Sequence, residues 1–235
     1  MPTNATNIGT SPSGDIVITN TGTGTLNITN GGLVTSADGY IGNNSGSTGT
    51  VTVDGAGSQW NLDYALWVGF FGNGTLNIQN GTINGTGIQA GIHPGSDGTV
   101  NISGGTVNLS ESFGIGFNGT GIMNMTGGTL TTGIYGATIG GGSGNGTVNM
   151  SGGVLNGNQL NIALGSNSTG TLNLSGGTIN VGVGSISGGD GATGVANVSG
   201  GVWNNSALLY VGAYGAGDRK STRLNSSHVS ESRMP

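Results

Sequence analysis

Apolar and polar residues alternate in short runs that return at regular intervals along the chain. Each run opens on a glycine, and the eight opening glycines lie 23 to 25 residues apart: Gly24, Gly49, Gly74, Gly98, Gly121, Gly146, Gly170 and Gly194. Successive side chains of a β-strand point to opposite faces, so each run predicts a strand with one apolar face. That face has two columns, which are Leu26, Val51, Leu76, Val100, Met123, Val148, Leu172 and Ala196, then Ile28, Val53, Ile78, Ile102, Met125, Met150, Leu174 and Val198.

Two further apolar columns recur after glycine-rich turns in most repeats. The third column is Leu33, Ile83, Val107, Leu130, Leu155, Ile179 and Trp203, with Trp60 near it in the longer second repeat. The fourth column precedes a glycine and is Ile41, Val68, Ile115, Ile139, Leu164 and Val211. Glycine supplies the positive φ that tight turns need. The pattern therefore predicts three short strands in each repeat.

A three-stranded repeat of about 24 residues predicts an all-β fold, a parallel β-helix or solenoid of about eight coils, which we expect to be right-handed. One coil cannot bury its own apolar face, whereas stacked coils share a continuous core. At about 4.8 Å between strands, eight coils make a rod roughly 40 Å long. A β-propeller is the alternative, but its blades need about 40–50 residues. The solenoid is predicted over residues 21–217, with residues 1–20 as an N-terminal edge segment.

A polar column lies between the first two apolar columns and is predicted to face outward. Its members are Asn27, Thr52, Asn77, Asn101, Asn124, Asn149, Asn173 and Asn197. Stacked amides form hydrogen-bonded ladders in cross-β structures, and we expect the same along this rod. The 54 glycines fit the same picture, because turns of successive coils lie above one another and a bulky Cβ would crowd its neighbour.

Charge and cysteine content exclude several classes of function. The chain has four Lys and Arg residues in total, all after residue 217, so the solenoid has no cation with which to neutralise nucleic-acid phosphates. Without cysteine there is no thiol nucleophile or thiolate metal ligand. No run approaches the roughly 20 apolar residues of a transmembrane helix. The first residues lack the basic and apolar regions of a signal peptide, so we expect the signal and anchor of the parent protein to lie outside this chain.

The repeat pattern stops after residue 217, where the next run should begin. Residues 218–228 read DRKSTRLNSSH, and no glycine follows. This string resembles the in-frame translation of a sequencing-library adapter, with residues 229–231 spanning its index. Residues 218–235 are therefore predicted to be a non-native, disordered tail, and Arg219, Lys220 and His228 are not a functional cluster.

Acidic and aromatic residues in the first repeats are the only candidates for catalysis. Asp38 and Asp63 each lie 14 residues after the opening glycine of their repeat, and Glu111 lies near the same column. Stacked about 5 Å apart, two such carboxylates could serve as acid and base toward a polysaccharide. The aromatic residues beside them could form a platform for sugar rings: Trp60, Tyr64, Trp67, Phe70 and Phe71. The simpler interpretation is that acids favour turns and aromatic rings fill a wider coil, so we expect no catalytic residue.

Other motifs carry weaker signals. Residues 188–191 read GGDG, which resembles the glycine-aspartate motif of calcium-binding nonapeptides, but the motif does not recur every nine residues. Residues 140–146 are as rich in glycine as a phosphate-binding loop but have no lysine. His93 precedes Pro94 in a turn and is predicted to be solvated. We expect neither a cofactor nor a metal.

Residues 46–60 read GSTGTVTVDGAGSQW, and residues 67–69 and 72–78 continue with WVG and GNGTLNI. This stretch resembles the repeat associated with type V secretion and PEP-CTERM proteins. Later coils keep the Gly-Thr-Val-Asn phrase but lose the GSQW ending, so the resemblance extends more loosely over residues 21–217.

The resemblance implies a fragment of a bacterial autotransporter passenger, or of a related surface protein, displayed outside the cell. The expected function is a non-enzymatic structural or adhesive module, whose partners would be surface glycans, other cell-surface proteins or further copies of itself. The alternative is a glycan-active β-helix enzyme, a hydrolase or lyase, that uses Asp38 and Asp63.

Overall fold

The described part of the molecule consists of β-strands joined by turns, and most of the strands pair in parallel. The computed structural model describes residues 4–6, 8–10, 14–212 and 216–221, with side chains over 14–212. Within these ranges there is no helix, and hence none that could span a membrane. The strands are β1 (Asn4–Thr6), β2 (Ile8–Thr10), β3 (Ile16–Ile18), β4 (Thr23–Ile28), β5 (Leu33–Ser36), β6 (Gly39–Ile41), β7 (Thr48–Val53), β8 (Gln59–Leu62), β9 (Ala65–Val68), β10 (Asn73–Ile78), β11 (Thr82–Ala90), β12 (Asp97–Ile102), β13 (Thr106–Ile115), β14 (Thr120–Met125), β15 (Thr129–Thr131), β16 (Gly136–Ile139), β17 (Asn145–Ile162), β18 (Thr169–Ile186), β19 (Thr193–Val198), β20 (Val202–Asn205), β21 (Leu209–Val211) and β22 (Ala216–Ser221).

Each coil contributes one strand to each of three sides, and strands of one side pair in parallel with those of the next coil. The first side holds β4, β7, β10, β12, β14, the starts of β17 and β18, β19 and β22. The second side holds β5, β8, the starts of β11 and β13, β15, the middles of β17 and β18, and β20. The third side holds β3, β6, β9, the ends of β11 and β13, β16, the ends of β17 and β18, and β21. The fold is a β-solenoid of about eight coils, as predicted.

The two apolar columns of the first side are buried in every coil. The opening glycines align with one another along the rod, so Leu26 stacks on Val51 and Ile28 on Val53, and the register is kept to Val198. All sixteen predicted side chains belong to one continuous core. Their burial confirms the alternation found in the sequence.

The third apolar column is confirmed except at Leu33. That side chain is 62% exposed, and its neighbour Val34 takes the place in the column, opposite Trp60. Trp60 in turn aligns with Ile83, so it is a full member of the column rather than an addition beside it. The first turns of these two coils are longer than those that follow, which shifts the apolar position by one residue in the first coil and by two in the second.

A left-handed residue ends the strand on the third side in each coil. Gly42, Gly69, Gly91, Gly116, Gly140 and Gly212 have φ between 69° and 77°, and Thr19, Ala163 and Ser187 take the same position. Because Ala163 replaces the glycine, the fourth apolar position of that coil is Ile162, which aligns with Ile139 and Ile186. The prediction that Leu164 holds that place is wrong, because its side chain is 45% exposed.

Asparagine ladders run along two sides of the rod. On the first side the Nδ2 group of each amide donates to the Oδ1 atom of the preceding coil at 2.9–3.0 Å, through Asn77, Asn101, Asn124, Asn149, Asn173 and Asn197. Thr52 separates Asn27 from this predicted ladder. A second ladder on the second side links Asn61, Asn84 and Asn108, then Asn156, Asn180 and Asn204, with Thr131 between the two groups.

Antiparallel pairing occurs at the N-terminal end of the stack. There β1 pairs with β4, and β2 pairs with β3. At the other end, β22 continues the parallel ladder of the first side to Ser221, beyond the predicted solenoid boundary at 217. Residues 222–235 lie outside the described residues, and the adapter-derived origin of the tail remains a prediction.

Candidate functional site

The carboxylate of Asp38 is used to join adjacent coils. Its Oδ1 atom accepts a hydrogen bond from the backbone N–H of Ala65 in the next coil at 2.9 Å. The backbone N–H of Asp38 donates in turn to the Asp15 carboxylate of the preceding coil at 3.1 Å. The two aspartates therefore form a short column in which each carboxylate holds the backbone of the coil that follows.

Asp63 and Glu111 are not brought into this column. The second coil has two more residues than the first before its third-side strand, so Asp38 comes opposite Ala65, while Asp63 bonds through its backbone N–H to the Ser36 carbonyl. Asp63 and Glu111 are both exposed, and Glu111 lies within the irregular pairing between β11 and β13. Among the side chains described over residues 14–212, no three His, Asp or Glu residues, Asp190 included, come together as metal ligands.

Five rings on the third side form a contiguous group, called here the aromatic cluster: Tyr40, Trp67, Phe70, Phe71 and His93. Phe70 lies at its centre, with edge-to-face contacts at centroid distances of 4.7–5.8 Å to each of the other four rings. Such contacts add stability beyond the area that the rings bury. The imidazole of His93 stacks on Phe71 at 3.9 Å with the two planes parallel to within 2°. His93 lies in a turn, as predicted, but its ring is only partly exposed to solvent because it packs on Phe70 and Phe71.

The aromatic cluster contains two polar groups whose surroundings affect their energetics, the Tyr40 hydroxyl and the Trp67 indole N–H. Burial raises the pKa of the Tyr40 hydroxyl, and the negative charges of Asp38 and Asp15 raise it further. The indole Nε1–H of Trp67 is buried and has no hydrogen-bond acceptor among the described residues. An unpaired donor of this kind costs free energy, so the indole is held here by its ring contacts rather than by its N–H group.

A groove of about 250 Å³ continues the third side beyond the aromatic cluster, and we call it the third-side groove. Gln89, which pairs with Trp67, lies at the end that meets the cluster. Phe117 and Leu164 form one wall, and Tyr135 lies on the other. The floor and remaining lining are Ser112, Phe113, Gly114, Ile115, Thr138, Gly141, Gly142 and Gly165.

Missing side chains create the groove. One outward column of the third side contains Trp67, Gln89, Gly114 and Thr138 in successive coils. Gly114 has no side chain, and the Gln89 amide partly fills the gap that it leaves. Gly141 leaves a second gap at the corner, between Phe117 and Leu164. A Cβ atom at Gly141 would lie 3.0 Å from Cδ2 of Phe117, so the phenyl ring leans over the vacant position.

Comparison with known proteins finds one curated relative by sequence. The chain is 42% identical over 88 residues to the uncharacterized lipoprotein YdeK of Escherichia coli strain K12. The match covers 37% of this chain and 7% of the relative, so the chain corresponds to a small part of that protein. No family model and no solved structure matches.

Proposed function

We propose that this chain is a non-enzymatic structural or adhesive module of the bacterial cell surface, a segment of an autotransporter-like passenger. The observation that carries the proposal is the use of polar side chains in coil-to-coil bonding. The asparagine ladders and the Asp15–Asp38 column all link one coil to the next. These contacts favour a stiff rod, which is what a stalk requires.

Two further findings support the same proposal. The related E. coli protein is a lipoprotein by name, which favours association with the cell envelope. Asp38 is committed to the backbone of Ala65, and the register separates it from Asp63, so the pair is poorly arranged for acid–base chemistry on a glycosidic bond. Retaining and inverting glycosidases both require two carboxylates facing one bond.

Display of the chain on an outer-membrane anchor tests the proposal. Cells that carry the displayed chain are expected to attach more to cell layers and abiotic surfaces than cells that carry the anchor alone. The purified chain is expected to release no reducing ends or unsaturated products from neutral and acidic polysaccharides. Product that disappears with Asp38→Asn or Asp63→Asn would instead favour the glycan-active enzyme, and unchanged attachment would contradict the adhesive role.

A further inference from the structure

The exposed aromatic side chains of this rod are not distributed evenly over its three sides. In a repeat protein, side chains that the fold requires recur in each coil, as the core columns and asparagine ladders do. The exposed rings recur in no such column. Among the side chains described over residues 14–212, five aromatic rings are exposed, and all of them border the third side or lie on it: Tyr64, Phe71, Phe117, Tyr135 and Tyr210. Because the fold does not require these exposed rings, they are candidates for contacts with a ligand.

The third-side groove has the composition of a site for sugar rings. Phe117 is 48% exposed and Tyr135 58% exposed, so each ring presents a face or edge to an occupant of the groove. The Gln89 amide lies between them and the aromatic cluster, and its Nε2 group donates to Oγ of Ser112 at 3.0 Å. Apolar walls with a few fixed polar groups are typical of small-ligand sites. The apolar C–H faces of a pyranose suit the walls, and its hydroxyl groups suit the amide and hydroxyls of the floor.

The occupant should carry no net charge. The described side chains include no lysine or arginine, so the groove has no cation for a uronate, sulfate or phosphate. Asp38 and Asp15, beside Tyr40 in the aromatic cluster, would repel an acidic chain that extended in that direction. Repulsion of this kind contributes to specificity as much as attraction does.

We propose that the third-side groove binds an uncharged glycan chain, which continues toward the aromatic cluster past Gln89. The proposal rests on the adhesive role proposed above and names the chemistry of its ligand. Outward positions of successive coils are about 4.8 Å apart, which is close to the length of one sugar ring. A glycan that runs along the rod would therefore meet a new outward position with each sugar residue.

Native gel electrophoresis in gels with soluble polysaccharides tests this proposal on the purified chain. Hydroxyethylcellulose, galactomannan and dextran serve as neutral probes, and alginate serves as the acidic one. We expect at least one neutral probe to slow migration and alginate to have no effect. The Phe117→Ala/Tyr135→Ala variant should lose at least about tenfold in affinity, because it removes both rings on which sugar residues would stack.

A second variant fills the groove without removing any aromatic ring. Gly141→Leu places a side chain in the gap between Phe117 and Leu164, at a residue whose φ is not in the left-handed region. It should also lose binding of the neutral probe. The matched control is Ile122→Ala/Val202→Ala, which removes exposed apolar side chains from the first and second sides and should retain affinity within about twofold. Circular dichroism establishes that each variant keeps the fold.

Three results would overturn the proposal. They are no retardation by any neutral probe, retardation by alginate alone, or equal losses in the groove and control variants. Concentration-dependent association that Phe117→Ala/Tyr135→Ala abolishes would assign the groove to a second copy of the chain instead. If no neutral probe binds but displayed cells still attach, the glycan proposal fails and the adhesive role stands. If a neutral probe binds but displayed cells do not attach, the adhesive role fails and the glycan proposal stands.

Discussion

Gly98→Ala is expected to lower the free energy of unfolding by about 3 kcal/mol or more. Gly98 lies inside β12 at an inward position of the first side, where this strand passes the end of a third-side strand. A Cβ atom there would overlap the Val68 carbonyl oxygen and the Gly91 backbone nitrogen, and would lie 2.8 Å from the carbonyl carbon of Ala90. Backbone on every side cannot move away as a side chain could, so overpacking should exceed its usual cost of about 1–3 kcal/mol.

Gly95→Ala, three residues earlier, is the matched control for this prediction. Gly95 has φ of +81° and no atom within 4 Å of a built Cβ, so alanine there should cost only the left-handed conformation, about 1–2 kcal/mol. Urea unfolding followed by circular dichroism measures both variants. Equal destabilisation by the two substitutions would mean that the first-side glycines are turn residues rather than points of close backbone approach.

Trp60→Ala is expected to lower the free energy of unfolding by about 3–5 kcal/mol, the usual range for a large aromatic side chain lost from a core. Trp60 is fully buried in the third column, and its Nε1–H donates to the buried Ser36 hydroxyl at 3.0 Å. The indole also contacts the vacant side of Gly39, where a Cβ atom would lie 2.7 Å from Cζ2 of the ring. Alanine would leave both a cavity and an unpaired hydroxyl.

Two control variants separate the contributions to this loss. Trp60→Phe retains most of the volume and removes the hydrogen bond, so it should cost clearly less than alanine, with about 1–3 kcal/mol from the unpaired Ser36. Tyr64→Ala removes a ring that is 61% exposed in the same coil and should change stability by no more than about 0.5 kcal/mol. Comparable losses for Trp60→Ala and Tyr64→Ala in urea titrations would show that the third column is not a packed core.

The repeat made the inner columns and the first asparagine ladder predictable. Each is set by strict alternation within six residues, from Thr23 to Ile28 in the first coil and likewise in the others, and no inserted residue falls there. The second ladder had a readable signal as well. Asn61, Asn84, Asn108, Asn156, Asn180 and Asn204 each follow directly after a residue of the third apolar column.

The errors arose where turn length varies. Counting from the opening glycine placed Asp38 and Asp63 in one column, but two extra residues in the second coil bring Ala65 opposite Asp38. Leu33 failed because the longer first turn puts Val34 in register. Leu164 failed for a different reason: Ala163 stands where most coils have a glycine, so Ile162 holds the place in register. The third-side groove was hidden as well, because Phe117 is separated in sequence from Tyr135 and Gly141 and meets them only through the stacking of two adjacent coils.

Distances between spin labels on the first side test the solenoid most directly. The chain has no cysteine, so paired substitutions introduce the only labels: Asn27→Cys with Asn124→Cys, Asn173→Cys or Asn197→Cys. These pairs are four, six and seven coils apart, and at about 4.8 Å per coil the backbone separations should be about 19, 29 and 34 Å. Double electron–electron resonance is expected to give three narrow distributions that lengthen in this proportion. Broad distributions, or distances that do not grow with the number of coils, would contradict the parallel stack on which the rest of the account depends.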